Sequence, residues 1–371
     1  MIGKNTVLII GGGLAGLVAA IHLSKNGIAV TVIEKNEFPR HKVCGEYISN
    51  EVLTYFESLG IDIQSFHPAK IDALCFSLQS GHTIHKKLPL GGFGISRHTL
   101  DCYLYTKARE MGCLFKKETV TKVTFTENLF TVETDNEIYE AAIVLGAFGK
   151  RSNIDGFLQR NFIKKKSNWL GVKAHYKLKF PHNTVGLHHF KGGYCGISNV
   201  EDGKVNVCYL ANYETFKKYK SIADYQEKVL FKNPILKQLF TNATLLFDKP
   251  LTISQVSFDK KLAVENHLLM IGDAAGLIHP LCGNGMAMAI HSAKLASESC
   301  IKFLDKKQNR TEMENEYTYN WNFNFKKRLR TGRLLGRLLQ KEKLATFVLQ
   351  FLIIFPLLLT AIIKKTHGNP I

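Results

Sequence analysis

Two glycine-rich segments, one starting at residue 11 and the other at residue 272, constrain this 371-residue chain more than any other feature. The first, Gly11-Gly12-Gly13-Leu14-Ala15-Gly16, follows the apolar run Val7-Leu8-Ile9-Ile10 and leads into a helix-like stretch, Leu14 to Asn26. Ile28 to Ile33 then reads as a second strand ending in Glu34, which completes a βαβ unit. In such a unit Gly11 permits a tight turn, Gly13 lets the backbone approach a pyrophosphate at the helix N-terminus, and Gly16 lets the helix pack closely on the strand. Glu34 stands where an acid accepts hydrogen bonds from a ribose. The second segment follows the short strand-like run His267 to Ile271, which Gly272-Asp273 breaks before a small-residue stretch, Gly285 to Cys300, that reads as a buried helix. An acid at that strand end can hold a hydroxyl, and the helix start can meet phosphate with backbone N–H groups.

The first motif together with Gly272-Asp273-Ala274-Ala275-Gly276 and Pro280-Leu281-Cys282-Gly283-Asn284-Gly285-Met286 resembles the FAD-binding pattern of the single-FAD family that includes aromatic-ring hydroxylases, flavin halogenases and geranylgeranyl reductases. The match runs from residue 1 to about residue 300 in the family's order. Pro39-Arg40-His41-Lys42-Val43-Cys44-Gly45-Glu46 is similar to the Lys-x-Cys-Gly element of the geranylgeranyl reductase branch, and Arg97 matches an arginine that opens a helix near the flavin. The resemblance implies an α/β fold: a Rossmann-type FAD-binding domain, a β-rich substrate domain and a helical C-terminal tail. It implies FAD held by Gly11, Gly13, Leu14, Ala15, Gly16, Glu34, Lys35, Arg40, Cys44, Gly45, Arg97, Gly272, Asp273, Pro280, Gly283, Gly285 and Met286. Cys44 and Tyr194 are the candidate catalytic side chains.

Departures from the family bear on donor and substrate. Where the family shows Ala-Asp-Gly, this chain reads Gly146-Ala147-Phe148-Gly149, so the acid tied to nicotinamide-cofactor use in hydroxylases is replaced by Phe148. The reductase motif Tyr-x-Trp-x-Phe-Pro is represented by Tyr194-Cys195-Gly196-Ile197-Ser198, with Gly196 at the tryptophan position, and the paired tryptophan motif of halogenases is missing. The expected activity is FAD-dependent reduction of double bonds in an apolar lipid, isoprenoid or polyketide-like substrate. A monooxygenase or halogenase-like enzyme, or a non-catalytic membrane-associated flavin-binding module, stands as the alternative. The expected partners are that apolar small molecule, an electron donor (NAD(P)H or a ferredoxin-like protein) and an anionic membrane surface.

Composition excludes several other classes. The eight cysteines form no CxxC pair and no CxxxxC, which disfavours zinc sites and disulfide-reducing flavoenzymes. No second GxGxxG signals a separate NAD(P)H domain, no GxSxG elbow supports a hydrolase, and no nucleic-acid motif accompanies the net charge of +18. No metal is expected: HExxH is absent, and His188-His189 reads as an exposed strand pair. With the chain entering a strand at once, a cytoplasmic protein is expected, attached peripherally or monotopically to the cytoplasmic membrane if at all.

The expected organisation is a discontinuous FAD-binding domain (1–70, 95–165 and 262–305), a β-rich substrate domain (71–94 and 166–261) and a basic, apolar helical segment (306–371). Strands are expected at Leu74–Leu78, Thr83–His85, Phe130–Thr134, Gly171–Leu178, Gly193–Val200 and Lys204–Leu210, with Asp202-Gly203 as a hairpin turn. Trp169, Tyr176, Tyr194 and Tyr209 are the aromatic candidates for a cavity wall. Residues 301–371 hold 14 Lys+Arg against 5 Asp+Glu, a surplus of +9. Arg330, Arg333, Arg337 and Lys341 recur at helical spacing opposite Leu335, Leu338 and Leu339, and Leu344 to Ile363 is largely apolar. That run suits in-plane membrane attachment, a tail closing a substrate tunnel, or a membrane span.

Overall fold

The structure, a computed structural model, describes residues 7–340, 347, 348, 350, 351 and 354–371. Its first sheet runs in the order Val264–Glu265, Leu268–Met270, Ile143–Gly146, Val7–Ile10, Val30–Ile33, Leu114–Lys116. Val7–Ile10 is parallel to both of its neighbours, and Leu268–Met270 is parallel to Ile143–Gly146. These central strands are continuous apolar runs because helices cover a parallel sheet on both faces. The helix Leu14–Lys25 packs against the helix Gly285–Leu304, whose Ala287, Ala293 and Ala296 are fully buried and permit close approach.

The register brings the two glycine segments together. Ile10 is opposite Gly146, and Gly146 is opposite Met270, so the turns at residues 11–13 and 272–273 leave the same edge of the sheet side by side. A Cβ on Gly272 would lie 3.0 Å from the Ala15 Cβ. Ligands of open α/β sheets bind at such carboxyl edges.

A second, nine-stranded sheet contains Trp169–Lys177, Val205–Asn212, Gly193–Asn199, Thr184–Phe190, Ala69–Ser77, Thr83–Gly94 and, at one edge, Tyr47–Ser49. Its parallel pairing of Thr184–Phe190 with Ala69–Ser77 joins the two chain segments expected to share a substrate domain. The expected hairpin at Asp202-Gly203 links two of its strands, with left-handed φ at both residues. Phe130–Thr134 lies elsewhere, in a three-stranded sheet packed on the first core.

Two expectations are corrected by this sheet. His188 and His189 are buried rather than exposed, because Thr184–Phe190 is a central strand covered on both faces; the His188 Nδ1 pairs with Ser77 Oγ at 2.8 Å. Tyr176 and Tyr209 are not among the residues that line the protein's apolar cavity. Strand alternation turns them to the opposite side, against Tyr225 and Leu236 of the covering helices, while Tyr194 and Trp169 join a different cluster.

The long helix Arg310–Gln340 buries Met313, Tyr317, Trp321, Phe325 and Leu329 at four-residue intervals, one apolar stripe laid on the first domain's core. Gly332 and Gly336 extend that stripe. A Cβ at Gly336 would come within 2.6 Å of the His279 ring, so the helix seats directly on the residue preceding Pro280.

Candidate active site

The N-terminal glycines divide into two kinds. Gly11 has φ +108, and a Cβ there would lie 2.5 Å from the Ala147 carbonyl oxygen; one on Gly16 would collide with the Gly11 carbonyl. Those two glycines serve packing. Gly13 differs, with ordinary extended dihedrals and only the Lys42 Nζ, 3.9 Å away, near the point a Cβ would occupy. No side chain caps the helix it starts, so the first-turn amides at Leu14 and Ala15 face open space beside an ammonium group.

Around this opening the expected residues fall as follows. Glu34 accepts from Gly12 N (2.9 Å), Asn36 N (3.0 Å), Asn36 Nδ2 (2.8 Å) and Arg40 (3.3 Å). Burial opposes its charge, but these donors hold its carboxyl below the usual range. Lys35 is exposed. Arg97 forms a fork-on-fork pair with buried Asp101 (2.7 and 2.8 Å), and Lys42 reaches the same carboxylate at 2.7 Å. Burial works against the Arg97 charge, yet Asp101 and a contact with the Cys44 thiol hold its pKa above the ordinary value. Cys44 Sγ also accepts from Glu46 N at 3.5 Å. A Cβ on the neighbouring Gly45 would meet nothing within 4 Å, so this loop too presents open backbone.

Lys150 and Lys261 stitch the opening closed at its far side. Lys150 Nζ donates to Val43 O (3.3 Å), and Lys261 Nζ donates to Lys150 O (2.9 Å) and Asp273 O (2.8 Å). Burial brings the Lys261 pKa down to about 8. Gly272 N donates to Ser292 Oγ at 2.8 Å, and the Asp273 carboxylate makes no side-chain hydrogen bond among the described residues. Gly283 adopts φ +62 facing Tyr47, Met286 is buried, and Gly285 starts its helix without a side-chain cap.

A buried clamp that the sequence reading missed fixes the Cys44–Gly45 loop. Glu46, fully buried with φ +53, accepts from Lys173 Nζ (2.9 Å), His175 Nε2 (2.6 Å) and Arg97 N (2.8 Å). Burial opposes its charge, but His175 and Lys173 keep it ionised, with the pKa lowered. His41, Glu46 and His175 carry ligand atoms within 4.8 Å of one another. The Lys173 ammonium on the same carboxylate makes this an ion-paired clamp unfriendly to a second cation. Glu46→Gln strands that ammonium, and we expect a loss of about 3–5 kcal/mol in urea unfolding. Adding Lys173→Met should restore part of it; a Glu46→Gln chain within about 1 kcal/mol of wild type would refute the clamp.

Beyond the loop lies an apolar cavity with about 1150 Å³ of empty space, part of it open to solvent. Gly45, Tyr194, Gly196, Cys208, Pro280 and Gly283 line the side nearest the opening, and Leu74, Phe76, Ile84 and Leu187 the body. Tyr194 is buried beside His279, and burial holds its phenol well above the usual range. Gly196, at the position where the resembling reductases carry tryptophan, leaves room: a Cβ there would approach nothing closer than 3.4 Å.

A βαβ turn with open backbone, a second glycine turn seated against it and an adjoining apolar cavity define the class as flavoprotein-type dinucleotide binders. The chain belongs to the FAD binding domain family, which matches residues 4–314, and its cofactor is FAD. It is similar to digeranylgeranylglycerophospholipid reductase of Methanococcus vannielii, at 27% identity over 316 residues, 81% of this chain and 78% of that one. It is also similar to conditioned medium factor receptor 1 of Dictyostelium discoideum, at 26% over 329 residues; this match covers 80% of the chain but only 63% of the relative's length. The solved structure of flavin-dependent brominase Bmp2 shares the fold, with a TM-score of 0.78 at 18% identity, covering 97% of this chain and 92% of that one. The resemblance to the reductase branch therefore stands alongside a halogenase-like architecture.

Proposed function

We propose that the protein reduces a carbon–carbon double bond in an apolar, lipid- or isoprenoid-like substrate. The observation that carries this reading is the cavity: its walls are almost wholly apolar, and it meets the cofactor opening at Gly45 and Pro280–Gly283. Uncapped amides at Leu14 and Ala15 with the open face of Gly13 fit the pyrophosphate of FAD, and Gly272 with Asp273 fits its ribityl chain. Glu34, Arg40 and Lys35 would face its adenosine side, while Arg97, Cys44, Gly45, Pro280, Gly283, Gly285 and Met286 would surround its ring side. When bound and reduced, FAD supplies a hydride to an activated double bond. Pairing of Arg97 with Asp101, and of Glu46 with Lys173 and His175, holds the Cys44 loop at the cavity mouth before substrate arrives. Tyr194 Oη keeps its proton at neutral pH and is the cavity-wall candidate to protonate the second carbon. The walls exclude water from that transfer.

Reading the tail as a membrane attachment draws on its outer surface. Phe347, Phe351, Ile354, Phe355, Leu357 and Leu358 are exposed, as are Arg330, Arg337, Lys364 and Lys365. No helix of the described residues is long and apolar enough to cross a membrane, and the run Leu344 to Ile363 falls partly outside them. In-plane contact with an anionic leaflet fits this arrangement.

Anaerobic reduction of the purified protein by NADPH, NADH or ferredoxin, followed by product analysis of a lipid extract, tests the activity. Saturation of a double bond is expected, with slow reduction by NADPH because Phe148 occupies the acid's place and packs against Gly146. Cys44→Ser should keep FAD but change turnover or substrate affinity. Substrate-coupled oxygen consumption would shift the assignment to oxygenation or halogenation, and bound FAD with neither activity to a binding module.

A further inference from the structure

We propose that the helix Pro356–Thr366 is the wall that sets how long an apolar chain the cavity admits, with Leu359 and Ile362 as its specificity-determining residues and buried Glu51 as its anchor. The proposal rests on the reading that the cavity holds an apolar chain. This helix has two apolar sides with different fates. Leu357 is 81% exposed, whereas Leu359, Ile362 and Ile363 line the cavity. Ile363 packs with Tyr47, Ile71, Leu74 and Leu88, so the helix closes the side formed by the strands Ala69–Ser77 and Thr83–Gly94. Leu335 of the long helix completes the same wall.

Its position is fixed by chemistry unusual for a terminal helix. Glu51, fully buried, accepts from Gly368 N (2.6 Å), Arg328 (3.3 Å) and Asn284 Nδ2 (3.2 Å), and its backbone carbonyl accepts from Ile371 N (2.9 Å). Three separated parts of the chain, Asn284, Arg328 and the segment 368–371, thus converge on one residue, and one of them, Asn284, belongs to the Pro280–Met286 turn at the cofactor opening. An anchor of this kind gives the wall a fixed distance from that opening. A fixed distance is what a length gauge needs. Only the inner side chains then decide where the terminus of a bound chain must stop.

The test uses the full FAD-loaded chain and displacement of 1-anilinonaphthalene-8-sulfonate by n-alkanols of increasing length. In wild type, each added methylene should tighten binding about fourfold until the chain reaches the wall, after which affinity levels off. Leu359→Ala and Ile362→Ala should move the plateau to longer alkanols, Ile362→Trp to shorter ones, and Leu357→Ala on the outer side should leave it in place. An unchanged plateau in both alanine variants, with FAD retained, overturns the wall assignment even if the tryptophan variant fails to fold. Failure of every alkanol to displace the probe from wild type instead removes the apolar-cavity reading itself, and the proposal with it.

Discussion

Gly13→Val is expected to give folded protein that purifies without FAD. The native dihedrals at Gly13, φ −81 and ψ −178, are accessible to valine, and the only atom near the new Cβ is the end of a flexible lysine. Replacing a helix-capping glycine costs the protein about 1 kcal/mol at most. The same side chain would fill the space through which the cofactor's pyrophosphate must reach the helix amides, so the loss falls on binding. Gly16→Ala is the contrasting case, since its Cβ runs into the Gly11 backbone and must push helix from strand. Visible flavin absorbance and a thermal melt separate the two: Gly13→Val loses its colour but melts like wild-type protein stripped of FAD, and Gly16→Ala loses colour and melt alike. Unchanged FAD occupancy in a folded Gly13→Val protein would sink the assignment of the first turn.

Acid is expected to destabilise the chain well above the range in which carboxylates titrate. Burial lowers His188 to about 4 and His279 to about 3, with His22 and His291 brought to about 4 and about 3 by burial and nearby cations. Each folded value lies below the unfolded one, so below pH 6.5 the unfolded chain binds more protons. The stability is therefore complete above about pH 6.5 and is lost as pH falls toward the folded values. His188 and His279 alone cost about 1.4 kcal/mol each per pH unit in that window. Glu46 and Asp101, both held below their ordinary values, stay charged through it and do not offset the loss. Urea midpoints measured from about pH 7 to about pH 5 should fall steeply, and His279→Asn should flatten the slope. A midpoint independent of pH over that range would contradict the buried neutral state of these rings.

How much of this was legible in the sequence follows the range of the interactions. Gly11 and Gly272 announced their turns, and Gly16 its close helix–strand packing, because the constraint is local: one missing Cβ, one adjacent strand. The hairpin at Asp202-Gly203 and the strand alternation around it were readable for the same reason. The clamp was not. Glu46, just before the strand Tyr47–Ser49, and Lys173, in Trp169–Lys177, lie far apart in the sequence and share no period or motif, so only tertiary pairing reveals them. His188 looked like a surface residue because polarity says nothing about a strand's place in its sheet, and this strand is central. Tyr176 and Tyr209 were placed on the cavity side because aromatic content carries no face, whereas Tyr194, picked out by its motif, does line the cavity. The helix Pro356–Thr366 is apolar on opposite sides. From sequence alone that pattern fits bilayer and protein interior equally, and packing against the strand Thr83–Gly94 decides the inner side.

The contact between Gly272 and Ala15 also governs when the holoprotein can come into being during synthesis. The strand Val7–Ile10 leaves the ribosome first, yet its neighbour Ile143–Gly146 and the next strand, Leu268–Met270, follow only much later. Until the last of these has emerged, the nascent chain has a helix start that attracts phosphate but no opposite side to enclose the cofactor. Capture of FAD must then wait for the third of these strands, and a ligand that binds only the finished fold pulls that slow, long-range assembly to completion. Cells short of flavin should accumulate the newly made chain as FAD-free protein that gains its colour only when the cofactor is supplied.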